Sequence, residues 1–136
     1  MAGVRFEALS KTYPGRRGSA PVQVIRDLDL SIEDGEFLVL VGPSGCGKST
    51  LLRLLAGLER PTAGEIVIGE RSVSQVRPGR RDVAMVFQSY ALYPNMNVYE
   101  NIRFPLMVRG IDSKTHDAKV RRAAAMVELD DFLHRK

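Results

Sequence analysis

Apolar and polar side chains alternate in two stretches near the start of the chain, residues 4–9 and 27–33. This period of two is typical of a β-strand with one buried face. A stretch rich in turn-forming residues, 13–19, separates them, and the pair Asp34-Gly35 that follows is typical of a hairpin turn. We therefore predict that the chain opens with antiparallel strands, one face of which is exposed to solvent.

The pattern then changes to short, continuous apolar runs. Residues 37–41, Phe-Leu-Val-Leu-Val, have the composition of a strand that is buried on both faces in a parallel sheet. Residues 65–68 and 82–87 predict two further strands, and the stretch 77–81 between them predicts a loop with one turn of helix. The first two thirds of the chain therefore combine antiparallel and parallel strands.

A glycine-rich loop, residues 42–47, separates the first apolar run from a predicted helix. Gly57 and Pro61 are residues that typically end a helix. The apolar positions that share one face of this helix, at intervals of three and four, are Leu51, Leu54, Leu55 and Leu58.

The last third of the chain predicts helices. Asn97 and Glu100 have the spacing of a capping box at the start of one helix, which Pro105 and Gly110 are expected to limit. Asp112 or Ser113 is expected to cap a final helix that runs toward Phe132. The acidic residues that we expect at its exposed end are Glu128, Asp130 and Asp131.

Length and composition exclude several classes of protein. The chain has 136 residues, of which 44% are apolar and 26% charged. At roughly 100–200 residues per domain this allows one domain at most, and the composition is that of a globular rather than a disordered protein. No stretch approaches the roughly 18 consecutive apolar residues of a membrane span, and the first ten residues lack the apolar segment of a signal peptide.

Charge and cysteine content narrow the choice further. The net charge of +4 is mildly basic and involves no long basic run, so it does not by itself favour nucleic-acid binding. The single cysteine, Cys46, cannot form an internal disulfide, which is typical of a reduced, cytoplasmic protein. One cysteine and two distant histidines cannot form a zinc site, and we expect His116 and His134 to be solvated.

Residues 42–50 fit the pattern G-x-x-x-x-G-K-[ST] of a phosphate-binding loop. Its glycines let successive backbone N–H groups form a nest for anions, and the helix that follows adds the positive end of its dipole. Lys48 is placed to reach the β- and γ-phosphates, Ser49 to put its hydroxyl on Mg²⁺, and Thr50 is the next donor. The predicted nucleotide-binding residues of this loop are Gly42, Pro43, Ser44, Gly45, Cys46, Gly47, Lys48, Ser49 and Thr50.

The sequence around this motif resembles one known family. Segments 41–53, 56–66, 86–94 and 98–102 are similar to the first Walker region, the stretch after it, the Q-loop and its continuation in the ATP-binding subunits of ABC transporters. The resemblance covers essentially the whole chain and is closest to importers of sugars and related solutes, such as the maltose importer. The stretch Val-Phe-Gln-Ser-Tyr-Ala-Leu-Tyr-Pro at 86–94 is the specific part, because the phosphate-binding loop alone indicates only a P-loop NTPase.

The resemblance implies three further roles. Tyr13 stands where the family places an aromatic ring that stacks on adenine, although by itself it would be an ordinary strand-end aromatic. Gln88 resembles a catalytic residue that touches Mg²⁺ and the attacking water, the alternative being a solvated loop glutamine. One stretch resembles the surface that receives the coupling helix of a membrane subunit, with packing into the local core as its alternative: Ser89, Tyr90, Ala91, Leu92, Tyr93 and Pro94.

The resemblance also implies a fold, a reaction and partners. The implied fold is a partial α/β P-loop NTPase domain with an antiparallel β subdomain, parallel core strands and the start of a helical subdomain, divided into residues 1–88 and 89–136. The implied function is ATP hydrolysis with Mg²⁺ that energises import of a carbohydrate or related solute. The implied partners are transmembrane permease subunits and a second ATPase subunit arranged head to tail, with no nucleic acid, at the cytoplasmic face of the cell membrane.

The sequence departs from the family pattern in places. Residues 16–21 form a small insertion beside Tyr13, and Asn97 stands where threonine or serine is commoner. The signature motif, second Walker strand, catalytic glutamate and switch histidine of the family are not found among the 136 residues. We therefore expect this chain to bind Mg-ATP weakly without turnover, and to be unstable or oligomeric because residues 37–41 would present an unpaired apolar edge.

Three alternatives to a transport ATPase stay open. The first is a nucleotide-binding fragment that does not hydrolyse ATP. The second is another P-loop enzyme, such as a small kinase or a GTPase, which fits the antiparallel segment before the loop and the 86–94 stretch poorly. The third, a nucleic-acid binder, rests only on the net charge of +4 and scattered arginines.

Overall fold

The computed structural model describes residues 2–15, 18–87, 89 and 92–136, and it divides the chain into two units, residues 1–85 and 86–136. The first unit contains a four-stranded sheet and one helix, and the second contains two helices. None of the helices in the described ranges is both long and apolar enough to cross a membrane.

The sheet of the first unit is antiparallel throughout, as predicted for its opening strands. Its strands lie in the order β2-β1-β3-β4, so β1 pairs with neighbours on both sides. Both opening strands are longer than the alternation predicted. The strands are β1 (Val4–Tyr13), β2 (Val22–Ile32), β3 (Ala63–Ile68) and β4 (Arg71–Ser72).

A bulge in β1 changes which side chains face the core. The pairing register with β2 shifts between Phe6 and Leu9, and Ala8 has a positive φ of 44°. The backbone N–H of Ala8 donates to the Asp29 carboxylate at 2.7 Å. One extra residue thus turns Leu9, which is fully buried, onto the face that strict alternation assigned to Ala8.

Helix α1 (Lys48–Ala56) packs its predicted face against this sheet. It ends at Gly57, whose φ of 76° lies in the left-handed region, so the predicted stop is confirmed. Leu58, beyond that end, is half exposed rather than part of the helical face. The buried apolar residues that form this core are Phe6, Leu9, Ile25, Leu51, Leu54, Ile66 and Val73.

Two of the predicted strands are not formed. Residues 37–41 and 82–87 have extended or irregular backbone without strand pairing, and Phe37 and Val41 are 90% and 85% exposed. A strand requires a neighbour for its N–H and C=O groups, and neither run pairs with a strand in the part of the chain that the structure describes. The predicted turn of helix between them is present as a 3₁₀ turn, Pro78–Arg80.

The second unit is built on helices α2 (Val98–Val108) and α3 (His116–Ala125), with 3₁₀ turns at Ser113–Thr115 and Asp130–Phe132. The predicted capping box is confirmed, because Asn97 and Glu100 each accept the other's backbone N–H at 2.8 Å. Pro105 does not limit α2, since its own carbonyl still accepts from the Arg109 N–H at 3.1 Å and the helix continues.

His116 is buried, so the expectation that it is solvated was wrong. It lies four residues before Val120 and eight before Ala124, on the one face of α3 that is buried. Its ring Nδ1 accepts from Arg103 Nε at 3.1 Å, and Nε2 lies 2.9 Å from the Ile111 carbonyl. Both ring nitrogens are therefore satisfied away from water. His134 and the acidic residues near the end of the chain are exposed, as expected. The final helix does not run toward Phe132, because α3 ends at Ala125 and the acidic residues lie beyond it.

Candidate phosphate-binding site

The phosphate-binding loop turns directly into α1 through Gly47. This residue has a φ of 102°, and a Cβ atom added there would lie 3.2 Å from both Cγ1 and the carbonyl oxygen of Val24. Glycine therefore meets two demands at this position, a left-handed backbone and close approach to β2. The result is that the helix begins at Lys48, immediately after the loop.

The first turn of α1 has donors that no side chain caps. Gly47 offers no side-chain acceptor, and the backbone bond from Leu51 N–H to the Gly47 carbonyl, at 2.9 Å, is the start of the helical ladder. The N–H groups of the preceding positions point out of the helix end, where the dipole favours an anion. An open pocket of about 230 Å³ lies at this end of the helix. It is lined by Ser44, Gly45, Gly47, Lys48, Ser49 and Thr50.

The Lys48 ammonium closes the loop on itself. Its Nζ donates to the carbonyl oxygens of Gly42 and Pro43, each at 2.7 Å, and lies 3.5 Å from the Cys46 sulfur. Two neutral carbonyls are weaker partners for a cation than phosphate oxygens are. The loop therefore places a positive charge beside a helix N-terminus, an arrangement that suits a polyphosphate.

Tyr13 ends β1 beside the same helix. Its hydroxyl donates to the carboxylate of Glu59, which follows α1, and it also interacts with Thr50 of the loop motif. Burial and the hydrogen bond to Glu59 raise the pKa of the tyrosine hydroxyl. Thr50 offsets part of this increase, and the net pKa stays raised. The structure thus places Tyr13 next to the predicted phosphate-binding residues, and its contact with adenine stays a prediction.

The Q-loop prediction falls partly outside the described residues. Gln88, Tyr90 and Ala91 lie there, so the predicted role of Gln88 stays a prediction. The other members of the predicted partner surface, Ser89, Leu92, Tyr93 and Pro94, are exposed, Leu92 by 69% and Tyr93 by 48%. Packing into the local core, the alternative for this stretch, is therefore disfavoured for Leu92.

Asn101 of α2 holds the end of this exposed stretch. Its Oδ1 accepts the Tyr93 N–H at 2.9 Å, and its Nδ2 donates to the carbonyl oxygens of Met96 and Asn97 at 3.2 and 2.9 Å. The Tyr93 ring also packs against Phe104, with ring centroids 4.6 Å apart. The predicted partner surface is thus anchored to a helix at its C-terminal end.

Sequence reasoning missed Arg81, the buried residue that holds the other end of α1. Its side chain is 4% exposed and donates to the carbonyls of Leu54 and Leu55, at 2.6 and 2.8 Å, and of Val76 at 2.9 Å. Burial lowers the pKa of its guanidinium. A Cβ at Gly57 would lie 2.6 Å from Arg81 Nε, so the glycine gives the arginine access. Arg81 follows other arginines in a turn-rich stretch, and no period in the sequence distinguishes it.

The sequence profile of the ABC transporter family matches residues 25–136, which is most of the chain and includes the phosphate-binding loop. The chain belongs to the ABC transporter family. The resemblance inferred from the Walker and Q-loop segments is therefore confirmed.

Relatives of this ABC family member include proteins named for import. The sn-glycerol-3-phosphate import ATP-binding protein UgpC of Rhodopseudomonas palustris (strain BisA53) is 52% identical over all 136 residues. The protein of the same name from Burkholderia lata is 51% identical over the same length. The chain spans 36% of the length of each of these relatives.

Solved structures of ABC cassettes share the fold. One is the dimeric post-hydrolysis state of the ATP-binding cassette MJ0796 bound to ADP and Pi. It matches with a TM-score of 0.83 at 27% identity, over 98% of this chain and 61% of that one. A second, the dimeric structure of MJ0796 described as a bacterial ABC transporter cassette, also gives 0.83, at 26% identity. The predicted fold class, a partial P-loop NTPase domain, is therefore confirmed.

Proposed function

We propose that this chain is the nucleotide-binding part of an ATPase subunit that energises import of a solute through an ABC transporter. The observation that carries the proposal is the geometry of the loop, in which Lys48 and the N-terminus of α1 converge on one pocket. Family membership and the import names of the relatives support it. Those names favour sn-glycerol 3-phosphate or a related polyol or sugar as the solute.

Nucleotide binding would use groups that the loop already presents. The uncapped N–H groups of the first turn of α1 would donate to phosphate oxygens. The Lys48 ammonium would exchange the carbonyls of Gly42 and Pro43 for the β- and γ-phosphates. When bound, Mg²⁺ neutralises phosphate charge, and because this ion takes few protein ligands and several waters, the exposed Ser49 hydroxyl suits it. Gln88 is proposed as its second contact.

The membrane partner is proposed to dock on residues 89–94. The exposure of Leu92 and Tyr93 supports this role, because exposed large apolar and aromatic side chains are typical of protein interfaces. A permease subunit would place the protein at the cytoplasmic face of the cell membrane. A second ATPase subunit, arranged head to tail, completes the proposed assembly.

Binding without turnover is the second candidate for the 136 residues by themselves. Hydrolysis requires a carboxylate that holds the metal and a group that activates water. The phosphate-binding loop contains neither group, and no apolar run ending in Asp-Glu occurs in the sequence. We therefore expect the chain to bind Mg-ATP and to release no phosphate from it.

The test is a calorimetric titration of the 136-residue chain with Mg-ATP, beside a phosphate-release assay. Lys48→Ala removes the ammonium and is expected to weaken binding by about 10- to 100-fold, the value of a charge-assisted hydrogen bond. Lys119→Ala is the matched control, because Lys119 is exposed on α3, and it should bind like the parent chain. Equal affinity of Lys48→Ala and the parent chain for Mg-ATP would refute the proposed site. Phosphate release that depends on Lys48 would show that the chain hydrolyses ATP and would refute binding without turnover.

A further inference from the structure

A half-buried network of charged and polar side chains joins Tyr13 to the far end of α1. Its centre is Glu59, which lies just after the helix and whose side chain is 15% exposed. Glu59 Oε2 accepts the Tyr13 hydroxyl and lies 3.3 Å from Lys11 Nζ, while its Oε1 lies 3.0 Å from Arg53 Nε. One carboxylate thus links the last residues of β1 to α1.

The same network fixes the Tyr13 ring from several directions. Lys11 Nζ lies 4.8 Å from the centre of the ring, a cation–π distance, and also donates to the Arg60 carbonyl at 2.8 Å. The tyrosine hydroxyl is engaged by Glu59 and Thr50. Thr50 belongs to the first turn of α1 and lowers the pKa of the Tyr13 hydroxyl, so this hydroxyl lies close to the phosphate-binding loop.

The charge on Glu59 makes its hydrogen bond with the Tyr13 hydroxyl a strong one. Burial raises the pKa of Glu59. Hydrogen bonds from Tyr13 and Lys11 and the charges of Lys11 and Arg53 lower it by more, so the net pKa of Glu59 lies below its ordinary value. The Tyr13 pKa is raised, first by burial and then by Glu59. At neutral pH the pair is therefore a neutral hydroxyl that donates to an ionised carboxylate.

We propose that Glu59 is a positioning residue for the nucleotide base: it holds the Tyr13 ring in the orientation in which its face meets adenine. This inference rests on the proposed function and on the predicted role of Tyr13, whose ring would stack on the base of a nucleotide held by the loop. A tyrosine without its hydroxyl anchor regains side-chain freedom, and ordering it again on binding weakens affinity. Glu59 acts only through Tyr13, so it should affect binding of the base and not binding of the phosphates.

The experiment compares two ligands that share phosphates but not the base, Mg-ATP and inorganic tripolyphosphate with Mg²⁺. Tyr13→Phe keeps the ring and removes the hydroxyl, Glu59→Ala removes the acceptor, and the double variant closes a cycle. Each single variant should bind Mg-ATP roughly 3- to 10-fold more weakly, the range for freeing one side chain, and tripolyphosphate within twofold. The double variant should bind no more weakly than the singles, because both remove the same bond.

Glu65→Gln is the matched control, since Glu65 is exposed on β3 and lies outside the network. It should leave both affinities unchanged. Because Glu59→Ala also leaves Lys11 and Arg53 without their carboxylate, Tyr13→Phe serves as the variant that spares the fold, and thermal melting checks both.

The outcomes separate this inference from the proposed function. Wild-type affinity for Mg-ATP in Tyr13→Phe and Glu59→Ala, with weak binding in Tyr13→Ala, would leave stacking in place and refute the role of Glu59. Tighter binding of Mg-ATP in either single variant would make the bond an obstacle to the nucleotide and also refute it. Parallel loss of Mg-ATP and tripolyphosphate in Glu59→Ala would assign Glu59 to the fold of the loop. Absence of Lys48-dependent binding of either ligand by the wild-type chain would refute the proposed function, and the inference with it.

Discussion

The two sides of the phosphate-binding loop are held in opposite ways. On the C-terminal side, α1 buries Leu51 and Leu54 in the core that it shares with the antiparallel sheet. On the N-terminal side, residues 37–41 form no strand, and of these five only Leu40 packs against that core. Both sides are strongly apolar, so composition does not explain the difference. The difference is that α1 has a sheet to pack against, whereas residues 37–41 have no strand to pair with in the described chain. The position of the loop is therefore fixed from its helix side.

Truncating a side chain on the buried face of α1 should have the largest effect on the free energy of unfolding. Leu54 is fully buried between the helix and the sheet. Leu54→Ala should lower the free energy of unfolding by about 2–5 kcal/mol, because it removes buried methyl groups and leaves a cavity. Urea denaturation followed by far-UV circular dichroism measures this loss, and titration with Mg-ATP should show weaker binding in the same variant.

The matched control for Leu54 lies on the same helix. Leu52 is 46% exposed, and Leu52→Ala should change the free energy of unfolding by no more than about 0.5 kcal/mol. Equal losses in the two variants would contradict the packing of α1 described above, and with it the asymmetry between the two sides of the loop.

Removing the guanidinium that binds the C-terminal end of α1 should have an intermediate effect. Arg81→Ala takes the guanidinium donor away from the carbonyls of Leu55 and Val76, and it leaves the Leu54 carbonyl with the Gly57 N–H. We expect a loss of about 1–3 kcal/mol in the free energy of unfolding, measured by urea denaturation. Arg80→Ala, at an exposed neighbour, is the control and should be near neutral.

A second variant approaches the same contact from the glycine. Gly57→Ala puts a Cβ 2.6 Å from Arg81 Nε at a residue whose φ is positive, so it should also destabilise the chain. Its effect in the Arg81→Ala background should be smaller, because the clash is then gone and only the backbone strain remains. Full additivity would show that the two residues do not interact.

The features of the fold that the sequence predicted correctly are those that depend on residues close in sequence. The start of α1 directly after the glycine-rich loop, its end at Gly57 and the Asn97–Glu100 capping box each depend on residues close in sequence, and the structure has all three. The antiparallel sheet was also predictable, because β1 and β2 are linked by a short connection. The local geometry of the motif was therefore predictable without knowledge of the fold, and phosphate binding by its residues stays a prediction.

Contacts between distant residues were not predictable from the sequence. Arg81 binds carbonyls 26 and 27 residues away, and Tyr13 donates to Glu59 across 46 residues. The bulge that turns Leu9 inward breaks the period of two on which the alternation depends. The run at 37–41 was predicted as a strand from its composition, but pairing requires a partner, and composition says nothing about where that partner lies.

The smallest effect on stability should come from the N-terminal side of the loop. Phe37 and Val41 are largely exposed, so Phe37→Ser combined with Val41→Ser should change the free energy of unfolding by less than about 0.5 kcal/mol. The same change removes exposed apolar surface from an unpaired extended segment, which should reduce self-association. Sedimentation velocity over a range of concentrations measures this, with Met126→Ser, an exposed apolar residue of the second unit, as the control. A loss of more than about 2 kcal/mol would mean that residues 37–41 are packed in solution, and the two sides of the loop would then be held alike.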